Sequence, residues 1–319
     1  MSLLRYFGRR IISAVPTLIL VTFFSFGLLY LTPGGPVEAL GGIMMSPEQK
    51  ERVREELGLN EPIHIQYIEW MGGIFSGDFG ETIVLKPGTP ISEIIVQPLI
   101  TTFWLALSAT VVAVIVGIGL GCLSALRPNS WLDNFFRIIG IASYSTTDWW
   151  LAILLLYVFG VIYRFDWAIS GVIDFSKDFS FSLKSLLLPA FALGLAKGGM
   201  VARITRGELL DVQNKPFIQF ERIMAIPKLV VVKDMLHNGI IPVVTVLGYT
   251  VGLIFRGTFL VEVVFGTPGI GLFLVRAAKS QEYALLQTLI LIIGAVFILT
   301  SLITDLLYGV VDPRVRSNN

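Results

Sequence analysis

The sequence is short of charge before anything else. Asp, Glu, Lys and Arg make up 15 % of 319 residues, against 54 % apolar, where a soluble domain carries roughly a quarter charged. So little charge cannot cover a water-facing surface, and a mean hydropathy of +0.77 points to the bilayer as solvent for most of the chain. A net charge of +1 removes the electrostatic argument for a nucleic-acid partner. The single cysteine, Cys122, excludes an intrachain disulfide. Catalytic strings are missing as well: there is no HExxH, no GxSxG and no GxxxxGK[ST], so the chain has no P-loop with which to hydrolyse ATP. An embedded hydrolase is the enzyme-class alternative, and no catalytic string supports it. Gly266-Thr-Pro-Gly-Ile-Gly271 lacks the lysine and the preceding strand of a phosphate loop; it reads as a tight external turn.

What the sequence has is apolar runs. Six of them, over 11–31, 100–126, 136–162, 186–201, 240–259 and 285–311, approach the roughly 20 residues a helix needs to cross the hydrocarbon. Lipid excludes open sheet edges, so each reads as a helix. The first follows Arg5, Arg9 and Arg10 without small-x-small cleavage chemistry after it, and reads as an uncleaved span. With six spans, those arginines, Arg127 and Arg137, the cations from Arg203 to Lys233, and Arg314 and Arg316 all fall on one side. The positive-inside rule makes that side cytoplasmic, with both termini inside. His64 then lies outside and His237 inside, so the two histidines cannot share a metal.

The resulting expectation is an all-α integral membrane protein of six transmembrane helices. Residues 1–32 form the N-terminal tail and first span, and 33–99 an extracytoplasmic cap segment. Residues 100–312 form a five-helix core containing a coupling loop at 207–239, and 313–319 a cytoplasmic tail. In the cap, Ser46-Pro-Glu-Gln starts a helix that stops at Gly58, and 63–75 is a second amphipathic stretch. This cap either lies on the membrane surface or helps to receive a substrate-bearing partner. The cytoplasmic loop reads as two short amphipathic helices, 217–226 and 228–238, broken at Pro227. They fit an interfacial helix pair or a docking element. Gly117, Gly121, Gly248 and Gly252 place small residues four apart, which suits either a subunit interface or packing within one bundle.

Several strings taken together resemble the first permease subunit of dipeptide/oligopeptide/nickel-type ABC importers, almost end to end. They are Leu31-Thr-Pro-Gly-Gly-Pro36, Glu56-Leu-Gly-Leu-Asn-Glu-Pro62 with Gln66-Tyr67, and Gly77-Asp-Phe-Gly80. Near the C-terminus follow Glu262 through Gly271, Tyr283, Asp305-Leu-Leu-Tyr308 and Asp312-Pro-Arg314. The resemblance implies a coupling helix of the EAA type seated in a groove of an ATPase subunit. Its matching stretch is 217–226, and the implied coupling residues are Phe217, Phe220, Glu221, Arg222, Ala225 and Pro227. Ala225 stands where the family usually has glycine, and the loop is one residue short before His237-Asn238. The resemblance further implies a homologous second permease, two ATPase subunits that bind ATP and Mg, and an extracytoplasmic binding protein. No cofactor is expected in this chain. Peptides are the family's commonest cargo, with oligosaccharides and nickel chelates as the other readings. A stand-alone channel or secondary transporter is the rival class; no inverted repeat favours the transporter.

Three ionisable residues depart from the family pattern inside the spans: Asp148, Lys197 and Arg256. Each costs roughly 2.5–3.5 kcal/mol on insertion scales and belongs in a bundle interior or a wet cavity. They line the translocation path together with Glu262, or Asp148 pairs with Lys197 while Arg256 snorkels outward. Gly252 and Gly257 beside Arg256 suggest open space on that helix.

Overall fold

The structure is a computed structural model that describes residues 3–31, 37, 46–56, 58–166 and 177–311. The family-like strings Thr32-Pro-Gly-Gly-Pro36 and Asp312-Pro-Arg314, and the tail with Arg316, lie outside the described residues. The helices are α1 (Leu3–Leu31), α2 (Pro47–Glu56), α3 (Ile63–Ser76), α4 (Ile91–Leu126), α5 (Trp131–Ser145) and α6 (Asp148–Leu155). A π-helical segment, Leu156–Ile162, continues α6. There follow α7 (Phe179–Gln213), α8 (Pro216–Ile223), α9 (Lys228–Phe265), α10 (Ile270–Lys279) and α11 (Tyr283–Val311). A two-stranded antiparallel hairpin, β1 (Glu81–Thr82) and β2 (Thr89–Pro90), pairs Glu81 with Pro90 and Thr82 with Thr89.

Among the described residues, four helices are long and apolar enough to span a membrane: α4, α7, α9 and residues 283–304 of α11. The α5–α6 pair makes a fifth if its two arms count as one bent span, and α1 carries a shorter apolar stretch, Ile11–Gly27. The single run expected over 136–162 is therefore two arms, bent by 106°. Thr146 and Thr147 cause the break without proline or glycine. Both are extended, at ψ 135° and 142°. The Thr146 hydroxyl also donates to the Ala142 carbonyl (2.7 Å), which its own N–H already reaches at 3.1 Å, so the last turn of α5 is closed at this point.

Two further expectations change. The second short helix expected over 228–238 is the start of the unbroken 38-residue α9. Helix continues through Gly239, against which Leu209 packs. The tight external turn expected at 266–271 leads straight into α10, whose first residues it contains, after Gly266 caps α9 at φ +65°.

The chain divides into two compact units. The first comprises residues 1–9, 103–267 and 299–319. Its core gathers Leu105, Ala109, Leu186, Leu193, Ile254 and Val261, and small residues let its helices close. A Cβ on Gly117 would come 2.5 Å from Val201 Cβ, and one on Gly121 2.6 Å from Thr205 Cβ, so this glycine face packs α4 on α7. Gly248 accepts a hydrogen bond from the Thr304 hydroxyl at 3.0 Å, which packs α9 on α11. Both glycine faces thus serve packing inside the chain.

The second unit comprises residues 10–102 and 268–298. Ser46 and Gln49 cap α2 reciprocally, Oγ accepting from Gln49 N–H (3.2 Å) and Oε1 from Ser46 N–H (2.9 Å), the capping box read in the sequence. Gln66 donates to the carbonyls of Leu59 and Glu61 (3.2 and 2.6 Å), closing the turn that Gly58 enters at φ +65°. Tyr67 bonds the Thr22 hydroxyl at 2.8 Å and packs with Phe26 and Trp70, fastening α3 to α1. The Glu282 carboxylate, 1 % exposed, accepts the backbone N–H groups of Ile83, Val84 and Leu85 at 2.8, 2.7 and 2.9 Å. That holds the hairpin loop.

Candidate functional site

Two places in the first unit gather the candidate residues. One is α8 and its flanks. Pro216 opens the helix at its first turn, where the missing N–H costs nothing. Ile218 is fully buried against Ala125, Leu209, Val212, Val231 and Met235. The other apolar side chains point away: Phe217 is exposed, and so are Phe220 (61 %), Ile223 (80 %), Met224 and Leu229 (86 %). A helix that buries one isoleucine and exposes this many large apolar groups has an unpartnered apolar surface, the mark of a docking site.

Of the two charged candidates on α8, Glu221 is half-buried, while Arg222 is exposed and reaches back to its own chain. One carboxylate oxygen of Glu221 is buried without a hydrogen-bond partner. That burial, with Asp234 beside it, pushes the carboxyl above the ordinary glutamate range. The Gln213 amide, turned with its oxygen toward Arg222, accepts from Nη1 and Nη2 at 3.2 and 2.6 Å. Phe217 and Phe220 thus share the open face, while Glu221 and Arg222 brace α8 on its own chain.

Ala225 stands at φ +54°, a left-handed conformation that costs an L-residue roughly 1–2 kcal/mol. The geometry explains why glycine suits this position. Its N–H bonds the Arg222 carbonyl and that of Ile226 bonds Glu221 (3.1 Å each), turning the chain into Pro227, which caps α9.

The other place is the bend. Asp148 opens α6, and Lys197 Nζ meets its Oδ2 at 2.7 Å, with the two side chains 15 % and 24 % exposed. Gly257 of α9 backs the pair. A Cβ there would lie 2.5 Å from Leu193 Cδ1 and 2.9 Å from Asp148 Oδ2. The space expected at Gly257 is therefore filled by α7 and α6, and Gly252 has ordinary contacts with Thr300 and Thr304. Arg256 is exposed on α9, while Glu262, six residues on, is fully buried. Six residues turn a helix through about 240°, so the two point in different directions.

Sequence reading missed Asp133, Ser124 and the role of Arg206. Arg206 lies within α7, where the sequence reading had put it at the start of the cytoplasmic loop. It grips Asp133 in two bonds, Nε to Oδ1 (2.8 Å) and Nη2 to Oδ2 (2.7 Å). Ser124 donates to Oδ1, and the Asn129 N–H to Oδ2 at 2.9 Å. An aspartate in the first turn of an otherwise apolar arm was the available signal. Its partner stands 73 residues away.

The helical bundle, its membrane-length helices and the apolar face of α8 are those of a membrane transport subunit, and comparison with known proteins settles the family. Residues 117–317 match the binding-protein-dependent transport system inner membrane component family. Residues 3–86 match the N-terminal region of binding-protein-dependent transport system membrane components. The chain belongs to this family. It is 33 % identical to the dipeptide transport system permease protein DppB of Alkalihalophilus pseudofirmus, covering 98 % of this chain and 100 % of that protein. It is 32 % identical to the oligopeptide transport system permease protein AppB of Bacillus subtilis, over 98 % and 99 %. A Brucella suis protein named as a peptide permease is 34 % identical, over 98 % and 99 %. The resemblance stated from the motifs holds along the whole chain, and these relatives are named as permease proteins.

Proposed function

We propose that this permease forms, with a homologous second permease, the path by which an ATP-driven importer admits di- and oligopeptides delivered by an extracytoplasmic binding protein. The supporting observation is full-length likeness to proteins named as dipeptide and oligopeptide permeases. In this reading α1, α4, the bent α5–α6 segment, α7, α9 and α11 are the six spans. Both termini are cytoplasmic, and the segment 33–99 forms an outer cap that meets the binding protein. Two ATPase subunits, which bind ATP and Mg, drive the cycle. The chain itself contributes a gated path and no bond-making chemistry.

Coupling runs through α8. Phe217 and Phe220 enter the ATPase groove, and Glu221, Arg222, Ala225 and Pro227 fix the angle at which they do so. Asp148, Lys197, Arg256 and Glu262 are candidates for the path, with the Asp148–Lys197 pair as its movable element. Asp148 caps one arm of a bend, and its partner lies on another helix, so opening the pair frees that arm.

The test is uptake into proteoliposomes holding the two permeases and two ATPases, with the binding protein outside. ATP-dependent accumulation of labelled dipeptides supports the reading. Accumulation of oligosaccharides or a nickel chelate alone overturns the cargo. Uptake without ATP or binding protein overturns the class. Placement against the binding protein is tested by crosslinking from Glu51, whose side chain is 54 % exposed. Thr267, an attractive position on sequence grounds, is buried and unsuited to it.

A further inference from the structure

A cavity of about 340 Å³ opens between α5 and α7, within the size range of small-ligand sites. Three guanidinium groups line it, those of Arg137, Arg203 and Arg206. Arg206 is neutralised by Asp133, 2.7 Å away. The other two are not matched in this way. Arg137 donates to the neutral Asn134 amide oxygen at 2.8 Å. Arg203 lies over the Tyr144 ring, 5.2 Å from its centre. Among the described residues neither has a carboxylate within ion-pair distance. Two uncompensated cations on helices proposed to lie in the membrane are costly unless an anion or water meets them.

The remaining walls say what kind of anion. Ser145 and Tyr144 add hydroxyls, while Phe136 and Ile141 make an apolar side. Ile141, a cavity-lining residue one turn further from the Arg127–Ser130 turn than Arg137, is exposed and carries the apolar wall past the cations. Charge at one end and hydrocarbon at the other fit an amphiphile rather than a small free ion. The arginine end of the cavity lies toward the Arg127–Ser130 turn and the end of α7 that leads into α8, the side rich in basic residues. Such pockets between membrane helices suit lipid phosphates.

We infer that this cavity is a binding site for the phosphate headgroup of an anionic phospholipid of the cytoplasmic leaflet, held by Arg137 and Arg203 with an acyl chain along Ile141. The inference rests on the membrane orientation proposed above and not on the cargo. Because α7 runs from this cavity to α8, an occupant also steadies the base of the coupling helix.

The test uses the complete importer, purified and returned to vesicles of phosphatidylcholine alone or with phosphatidylglycerol. Native mass spectrometry reads the retained lipid, and basal ATPase activity of the complex, measured without cargo, reads the consequence. The wild-type complex should retain phosphatidylglycerol and work faster in its presence. Affinity should fall about fivefold for each arginine removed in Arg137→Gln and Arg203→Gln. Arg127→Gln, an exposed cation outside the cavity, should bind as the wild type does, which separates the site from general surface attraction. Inorganic phosphate added to phosphatidylcholine vesicles should give no stimulation. Full stimulation by it would overturn the lipid in favour of a free anion. Unchanged phosphatidylglycerol retention in the double variant, or crosslinking of the second permease from position 137, would overturn the site. Peptide transport by the wild type in phosphatidylcholine reports separately on the proposed function.

Discussion

The bent α5–α6 segment hangs on α7 by two ion pairs, one on each arm, and they are built differently. On the α5 arm, Asp133 is 1 % exposed and takes four hydrogen bonds from Arg206, Ser124 and Asn129. On the α6 arm, Asp148 meets Lys197 at one oxygen, and both remain partly open. A bidentate guanidinium pair is directional and stiff, whereas an ammonium on a four-carbon stem is a movable point charge. Between the arms lie two extended threonines. The difference teaches that the two arms are held in unlike ways, one by a buried bidentate pair and the other by a single, partly open contact.

The strongest way to break this comparison is at the pinned arm. Asp133→Ala leaves the Arg206 cation buried without its partner, at a cost of about 3–5 kcal/mol. The complex should assemble poorly or melt far below the wild type, as read by thermal unfolding in detergent. A small shift would mean that the pin is dispensable.

Gly257→Ala attacks the movable arm from behind. Its new methyl meets Leu193 and Asp148, an overpacking worth about 1–3 kcal/mol. It should lower the melting midpoint and raise ATPase activity in the absence of cargo. Asp148→Asn should cost less, about 1–2 kcal/mol for a hydrogen bond to charge, yet raise the same basal activity. The exchanged pair, Asp148→Lys with Lys197→Asp, should restore coupling. If Asp148→Asn destabilises as much as Asp133→Ala and leaves basal activity alone, the two arms do not differ in kind.

The smallest effect sharpens the account at α8. Ala225→Gly removes left-handed strain at φ +54°, and after allowing for glycine's greater freedom when unfolded should stabilise by up to about 1 kcal/mol. Transport should not fall. A loss of stability would show that the turn does not hold this conformation.

Much of this was legible in the sequence because it is local. Ser46 and Gln49 stand three apart and cap each other as their spacing dictates. Apolar runs gave the cores of α4, α7, α9 and α11, although the helices extend beyond them, because a helix continues into polar residues wherever packing supports it. The Asp148–Lys197 pair was one of two readings weighed for those charges.

What stayed hidden depends on distant partners. Arg206 read as one of several loop cations because its aspartate is far away in sequence. The bend was invisible because threonine is not a breaker by composition. Only the extended backbone at Thr146 and Thr147 marks the end of the arm. Glu221 and Arg222 belong to the implied coupling set, and nothing in the local sequence showed that Asp234 would lie beside the one and Gln213 would meet the other.

The central claim is that the permease is driven through the open apolar face of α8. The most direct measurement is ATPase stimulation by the loaded binding protein in the reconstituted importer carrying Phe220→Asp, a side chain 61 % exposed and so removable without disturbing the core. The account expects membrane insertion and pairing of the two permeases to persist while stimulation and peptide uptake collapse. Stimulation at the wild-type level in that complex would contradict it.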